Sequence, residues 1–223
     1  TAAKLRVNAN IVRNSIPFNA EADSLNCAIL ADDVSPDDEE FDLFVKEVVR
    51  EMTVKAGQKC TAIRRAIVPR KHLDAVAEKI KARLSKVVVG DPSVEGVKMG
   101  ALASKSQQSD VAERVALLRQ SAELVCGGDA NFNLVGEGVA NGAFFQPTLL
   151  LCQQPLSTDS VHDIEAFGPV STLMPYDNME EAMALAKRGK GSLVGSLITK
   201  TPEVAAQVVP RLAANHGRLH VLD

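Results

Sequence analysis

Tryptophan is absent from this chain, tyrosine occurs once, and aromatic residues together make up only 4%. Platforms on which bases could stack are therefore lacking. The basic residues are spread along the expected helices rather than gathered into a stripe, so nucleic acid is excluded as a partner. Neither sign of charge dominates, since 25 Lys and Arg stand against 28 Asp and Glu. No apolar run approaches the ~20 residues needed to span a bilayer, and no signal peptide opens the chain. Membrane association is not expected. The four cysteines, Cys27, Cys60, Cys126 and Cys152, form no CxxC pair, and His72, His162, His216 and His220 have no spacing suited to a metal or a catalytic triad. That argues against a zinc site and for a reducing, cytoplasmic setting. The histidines are expected on the surface or in loops, and Cys27, Cys126 and Cys152 in the core.

What is present is an ordinary globular composition: 223 residues, 46% hydrophobic and 24% charged. A chain of this length buries ~70% of its unfolded surface. The pattern alternates helices and strands. Ser35-Pro36-Asp37-Asp38 reads as a helix start, followed by Phe41, Phe44, Val45, Val48, Val49 and Met52 at helical spacing. Residues 61–68 read as a strand stopped by Pro69, and Leu73, Val76, Ala77, Ile80 and Leu84 mark a second helix. A short strand at 87–89, a helix at about 110–122, a strand at 123–126 and an extended stretch at 143–151 follow. Then come a strand at 170–176, a helix capped by Asn178 with Glu181, a strand at 192–199, a helix at 202–215 and a last strand at 219–222. Such alternation predicts an α/β fold with a mostly parallel, twisted sheet covered by helices on both faces.

The chain starts at Thr1, within an expected helix over residues 1–5, and stops at Asp223 directly after a strand. These ends read as those of a piece of a larger enzyme. Residues 1–35 are expected to be the tail of a preceding domain and 36–223 a second domain.

Three residues stand out chemically. Cys60 lies in Lys55-Ala56-Gly57-Gln58-Lys59-Cys60-Thr61-Ala62, a polar glycine-containing loop between a helix and a strand. A nucleophilic thiol needs that setting, with partial exposure and nearby backbone N–H groups, although a free cysteine also serves as a small core hydrophobe. Glu21 lies where an apolar stretch turns polar, in Ile16-Pro17-Phe18-Asn19-Ala20-Glu21, and suits either a base or a solvated acid. Glu165, in Asp163-Ile164-Glu165-Ala166-Phe167-Gly168-Pro169-Val170, suits either a site carboxylate or the rim of a loop. Gly136-Glu137-Gly138 leads into an extended segment rather than opening a helix, so it is no dinucleotide fingerprint.

Taken together, these segments resemble the aldehyde dehydrogenase superfamily. Gly57-Gln58-Lys59-Cys60 is similar to its nucleophile loop and Glu165-Ala166-Phe167-Gly168-Pro169-Val170 to its Glu-x-Phe-Gly-Pro-Val signature. Phe145-Gln146-Pro147-Thr148 and Cys126-Gly127-Gly128 match two further stretches, in the family's order. The general-base segment departs from the usual pattern: Glu21 is followed by Ala22-Asp23-Ser24-Leu25-Asn26 and lies 60 − 21 = 39 residues before Cys60. That form resembles the ring-cleavage dehydrogenases of phenylacetate and benzoate degradation, which oxidise semialdehydes of CoA thioesters, usually with NADP.

The resemblance implies a mechanism. Cys60 would attack the aldehyde carbon, its own backbone N–H would help stabilise the oxyanion, and Glu21 would activate the water that hydrolyses the thioester. Glu165 would hold the nicotinamide ribose, with Phe167 packing beside the nicotinamide and Ala22 near the cofactor. NADP or NAD would be bound mainly by a nucleotide-binding half that precedes Thr1 in the family pattern, so the chain by itself is expected to be inactive. The retained Glu21 favours release of the free acid over transfer to CoA. The family also implies a homo-oligomer acting on a small-molecule aldehyde. The rival reading is a non-catalytic structural or oligomerisation module that keeps the fold.

Overall fold

The computed structural model describes residues 2–19, 24–129 and 131–223. Two short helices, α1 (Ala2–Arg6) and α2 (Ala9–Arg13), precede the central strand β1 (Cys27–Leu30). The chain continues through α3 (Glu39–Thr53), β2 (Arg65–Pro69), α4 (Leu73–Leu84), α5 (Lys105–Leu118), β3 (Glu123–Cys126) and β4 (Thr148–Leu151). It ends with α6 (Ser160–Asp163), β5 (Val170–Tyr176), α7 (Met179–Lys187), β6 (Ser192–Ile198), α8 (Pro202–Leu212) and β7 (His216–Leu222). The strands form one seven-stranded sheet in the order β3-β4-β5-β2-β1-β6-β7. The pairings are parallel except for β3 against β4.

The strand Cys27-Ala28-Ile29-Leu30 is apolar at each position because both of its faces are covered. Cys27 and Ile29 join a core with Val111 of α5, Ala182 and Leu185 of α7 and Val208 of α8. Ala28 and Leu30 point the other way, into a core with Phe41, Phe44, Val45 and Val48 of α3 and Val76 and Ile80 of α4. The expected helix-covered, mostly parallel sheet is thus the observed architecture. β1 lies ahead of the expected division at residue 35, yet it pairs with both β2 and β6 and is built into the same sheet as the rest.

Local boundaries differ for identifiable reasons. Residues 35–38 make a turn before α3 rather than its first turn: Ser35 N donates to Asp38 Oδ2 at 2.7 Å and Asp38 N to Ser35 O at 3.0 Å. Asp38, with its carboxylate also bound to Lys200 Nζ at 2.8 Å, becomes the N-cap residue, and Glu39, Glu40 and Asp42 oppose the helix dipole. Residues 61–64 do not join the strand, because Asn26 takes their backbone: its O accepts from Arg64 N and Arg65 N, and its Nδ2 donates to Ala62 O. α5 starts earlier than expected, where Ser104 Oγ accepts from Gln107 N at 3.1 Å. Residues 87–89 contribute only an isolated bridge, Val89 to Met99. Among the described residues no helix is long and apolar enough to cross a membrane.

Two histidines expected outside are inside. His162 and His216 are 2% and 9% exposed, whereas His72 and His220 are partly exposed. His216 Nδ1 bonds Leu212 O at 3.1 Å, and its Nε2 lies 3.6 Å from the buried Cys27 Sγ. His162 Nε2 faces Pro155 O at 2.9 Å, so that nitrogen carries the proton and Nδ1 accepts from Arg65 Nη1 at 3.1 Å. Their partners are backbone carbonyls or groups distant in sequence, which no metal or triad spacing would reveal.

Burial holds the His162 imidazole down at a pKa of about 4, the Pro155 bond opposing and the Arg65 charge adding to it. The native state thus resists protonation between the ordinary value of 6.5 and about 4 while the unfolded chain accepts it. Stability is fully present above pH 6.5 and falls as the solution is acidified through that window. Each pH unit there removes up to ~1.4 kcal/mol. Urea midpoints measured from pH 7 to pH 4 should fall more steeply for the native chain than for His162→Asn. Identical slopes would remove His162 as the cause.

Candidate active site

The loop that follows α3 turns by three successive residues with left-handed backbone, Lys55 (φ 54°), Ala56 (φ 51°) and Gly57 (φ 69°). Such a conformation costs ~1–2 kcal/mol at each residue with a Cβ, and the surroundings impose it. A Cβ on Gly57 would lie 2.1 Å from Gly168 O, so the loop can touch the chain ahead of β5 only with glycine there. Gln58 Oε1 accepts from Ala103 N at 2.8 Å, and Lys59 Nζ pairs with Glu51 of α3 at 2.6 Å. Asn26 fixes the other side. Its Nδ2 donates to Cys60 O at 2.7 Å and Ala62 O at 3.0 Å, while its Oδ1 accepts from Ser24 Oγ and Val194 N. The amide thereby uses both donor hydrogens and both acceptor lone pairs. Cys60 itself is exposed, whereas Cys27 and Cys152 are buried and Cys126 is half-buried. Burial pushes the Cys126 thiol up and the Cys27 thiol up as well, with the Arg65 charge partly opposing at Cys27.

The second expected segment arrives at the same place. Glu165 follows α6, its side chain 8% exposed, and forms an ion pair with Arg64 Nε at 3.3 Å. Its other oxygen accepts from Ser24 N at 3.2 Å. Phe167 stays 36% exposed with the Arg64 guanidinium 5.4 Å from its ring centroid, and Gln107 Nε2 donates to Phe167 O at 2.9 Å. Arg64 also donates to Gly57 O at 2.8 Å and Gly168 O at 2.7 Å. Burial draws the pKa of this guanidinium down and the Glu165 carboxylate draws it back up.

Arg64 and the Gly57–Gly168 approach thus hold the Cys60 loop beside the segment that carries Glu165 and Phe167. Glu21 and Ala22 lie outside the described residues; Ser24, the nearest described residue after them, is bonded to Glu165. Arg64, Asn26 and the Lys59–Glu51 pair escaped the sequence reading. The signal for Arg64 was available: two adjacent arginines entering an apolar strand are unusual enough to demand buried partners.

The family model for the aldehyde dehydrogenase family matches residues 2–221. The chain belongs to the aldehyde dehydrogenase family. This aldehyde dehydrogenase chain is 48% identical to the 3,4-dehydroadipyl-CoA semialdehyde dehydrogenase of Aromatoleum evansii, over all of its own length and 43% of that protein's. It is 46% identical over 126 residues to protein MaoC of Klebsiella aerogenes, covering 56% of this chain and 36% of that one. Among solved structures, it is similar to aldehyde dehydrogenase C of Pseudomonas syringae, a variant complexed with NAD+ and octanal. That match has a TM-score of 0.82 at 25% identity and covers 100% of this chain and 43% of the other. The γ-glutamyl-γ-aminobutyraldehyde dehydrogenase of Burkholderia cenocepacia matches with a TM-score of 0.77 at 26% identity, over 90% and 38% of the two chains. The chain spans less than half the length of each of these relatives.

Proposed function

We propose that the whole protein oxidises an aldehyde to a carboxylic acid with NAD(P), through a covalent adduct on Cys60. The observation that carries this reading is the junction of two family motifs: an exposed cysteine on a strained loop that Arg64 ties to the segment of Glu165 and the exposed Phe167. Cys60 attacks the aldehyde carbon as the thiolate, and its backbone N–H stabilises the oxyanion that forms. Glu165 and Phe167 would hold NAD(P), whose chemistry would be to take up the hydride that leaves that carbon. The thioester left on Cys60 is hydrolysed by water deprotonated by Glu21, which releases the free acid.

The residues present suit the cofactor in chemistry. Glu165 would offer carboxylate oxygens to ribose hydroxyls and Phe167 an apolar face to the nicotinamide end, and the family pattern assigns Ala22 to cofactor binding as well. NADP is favoured over NAD by the resemblance to the ring-cleavage enzymes, and a semialdehyde of a CoA thioester is favoured as substrate by the 48% identity to the Aromatoleum dehydrogenase. We assign residues 1–35, with the general-base segment, to the cofactor-binding side, except for β1, and place the whole protein in the cytoplasm as a homo-oligomer.

Stoichiometric iodoacetamide followed by peptide mapping tests this reading. Cys60 is expected to label first of the four thiols, since Cys27 and Cys152 are buried and Cys126 is half-buried. Its labelling should abolish aldehyde oxidation by the whole protein. Preferential labelling of Cys126, or full activity after Cys60 is blocked, would overturn it.

A further inference from the structure

The geometry points to Arg64 as the positioning residue that locks the Cys60 loop to the Glu165 segment, an inference that rests on the reading of Cys60 as nucleophile. Its side chain is 4% exposed and each guanidinium nitrogen is committed. Nε donates to Glu165 Oε1 at 3.3 Å, Nη1 to Gly168 O at 2.7 Å, and Nη2 to Gly57 O at 2.8 Å and Lys59 O at 3.4 Å. The flat group also lies over Phe167. One planar cation thus spans the residue before Gln58, the residue before Cys60, and both ends of Glu165-Ala166-Phe167-Gly168.

The two carbonyls it takes in the nucleophile loop are the ones that define the loop. Gly57 O also accepts from Lys59 N at 2.9 Å, and Lys59 O from Ala62 N at 3.2 Å. Fixing those oxygens fixes the Gly57–Gln58 and Lys59–Cys60 peptide planes, and the second of these carries the Cys60 N–H that the proposed mechanism directs at the oxyanion. A rigid fork is required for this. Lysine offers the same charge at a single point and cannot span acceptors on two loops. The pairing with Glu165 has a second consequence. The positive charge of Arg64 compensates the buried Glu165 carboxylate, and its loss would leave that charge without this partner.

The test needs neither aldehyde nor cofactor. Hydrogen exchange over residues 55–62 is compared in this chain for Arg64→Met, Arg64→Lys, Glu165→Gln and the double variant Arg64→Met/Glu165→Gln. Thermal melting serves as the check on folding. In Arg64→Met, the loop amides should exchange roughly 5- to 10-fold faster, the factor for losing about one hydrogen bond. Arg64→Lys should leave the exchange fast. Glu165→Gln should keep the exchange slow, and the double variant should keep it fast. If Arg64→Met fails to fold, Arg64→Lys decides through its exchange alone. Exchange as slow as in the native chain in a folded Arg64 variant overturns the proposal. So does fast exchange in Glu165→Gln, or return of the double variant to native behaviour, which would reduce Arg64 to charge compensation. A whole protein without dehydrogenase activity would overturn the functional reading and leave these results standing.

Discussion

Replacing Cys60 by alanine is expected to lower aldehyde oxidation by the whole protein ~10⁴-fold or more, because losing a covalent nucleophile leaves only binding and oxyanion stabilisation. The chain should remain folded. Cys60 is exposed and its side chain fills no core, while the bonds that shape its loop run through backbone carbonyls to Asn26 and through Gly57 and Lys59 to Arg64. A thermal midpoint unchanged within about 2 °C, roughly 0.5–1 kcal/mol for a chain of this size, should accompany the loss. Steady-state rates with a simple aldehyde, measured beside Cys27→Ala as a control on a buried thiol, provide the check. Residual turnover within tenfold of the native rate would show that the chemistry does not pass through Cys60.

Replacing Arg65 by methionine is expected to destabilise the fold by about 3–5 kcal/mol, the range for stripping one partner from a buried polar network. Arg65 is fully buried, and among the described residues its guanidinium bonds backbone carbonyls and His162 rather than a carboxylate. Its charge is met by dipoles instead. Nε donates to Leu25 O at 2.7 Å, and Nη1 and Nη2 reach Leu185 O at 2.7 Å and Ala186 O at 3.0 Å, carbonyls of the last turn of α7. That end of a helix is the negative end of its dipole. Burial still draws the guanidinium pKa down. Methionine fills a similar volume, leaves the buried His162 Nδ1 without a donor at a cost of ~1–3 kcal/mol, and removes one bond of ~0.5–1.5 kcal/mol from each of Leu25 O, Leu185 O and Ala186 O, which keep Ser192 Oγ, Arg188 N and Gly189 N. Urea unfolding should show a lower midpoint with an unchanged slope. Arg65→Lys should recover little, because one ammonium cannot reach Leu25 and α7 together. A loss below 1 kcal/mol in Arg65→Met would mean that water or a shifted α7 satisfies those oxygens.

The two neighbouring arginines show where sequence reading stops. Period-2 and period-3.6 patterns record which faces are buried, and they identified β5 and α4 almost to the residue. The Asn178 cap was legible because its acceptor and donor lie three residues apart, Asn178 Oδ1 to Glu181 N at 3.1 Å. α3 and β2 were misplaced at one end each, where a side chain from another segment holds the chain: Lys200 on the Asp38 carboxylate in one case, Asn26 on the backbone of residues 62–65 in the other. Nothing within a local window contains those partners.

At the site the division is similar. The amino-acid sequence by itself determined the family, the helix-covered parallel sheet, and Cys60, Glu165 and Phe167 as the residues to examine, since each sits in a short contiguous motif whose chemistry can be read locally. Only the tertiary structure decided that Gly57 must be glycine because Gly168 O occupies the space of a Cβ, and that His162 and His216 are interior. It alone also showed one guanidinium joining segments 101 residues apart in the chain. Burial and long-range hydrogen bonds depend on which distant segments are packed together, and that packing follows from the cooperative fold of the whole sheet rather than from any stretch of sequence read alone.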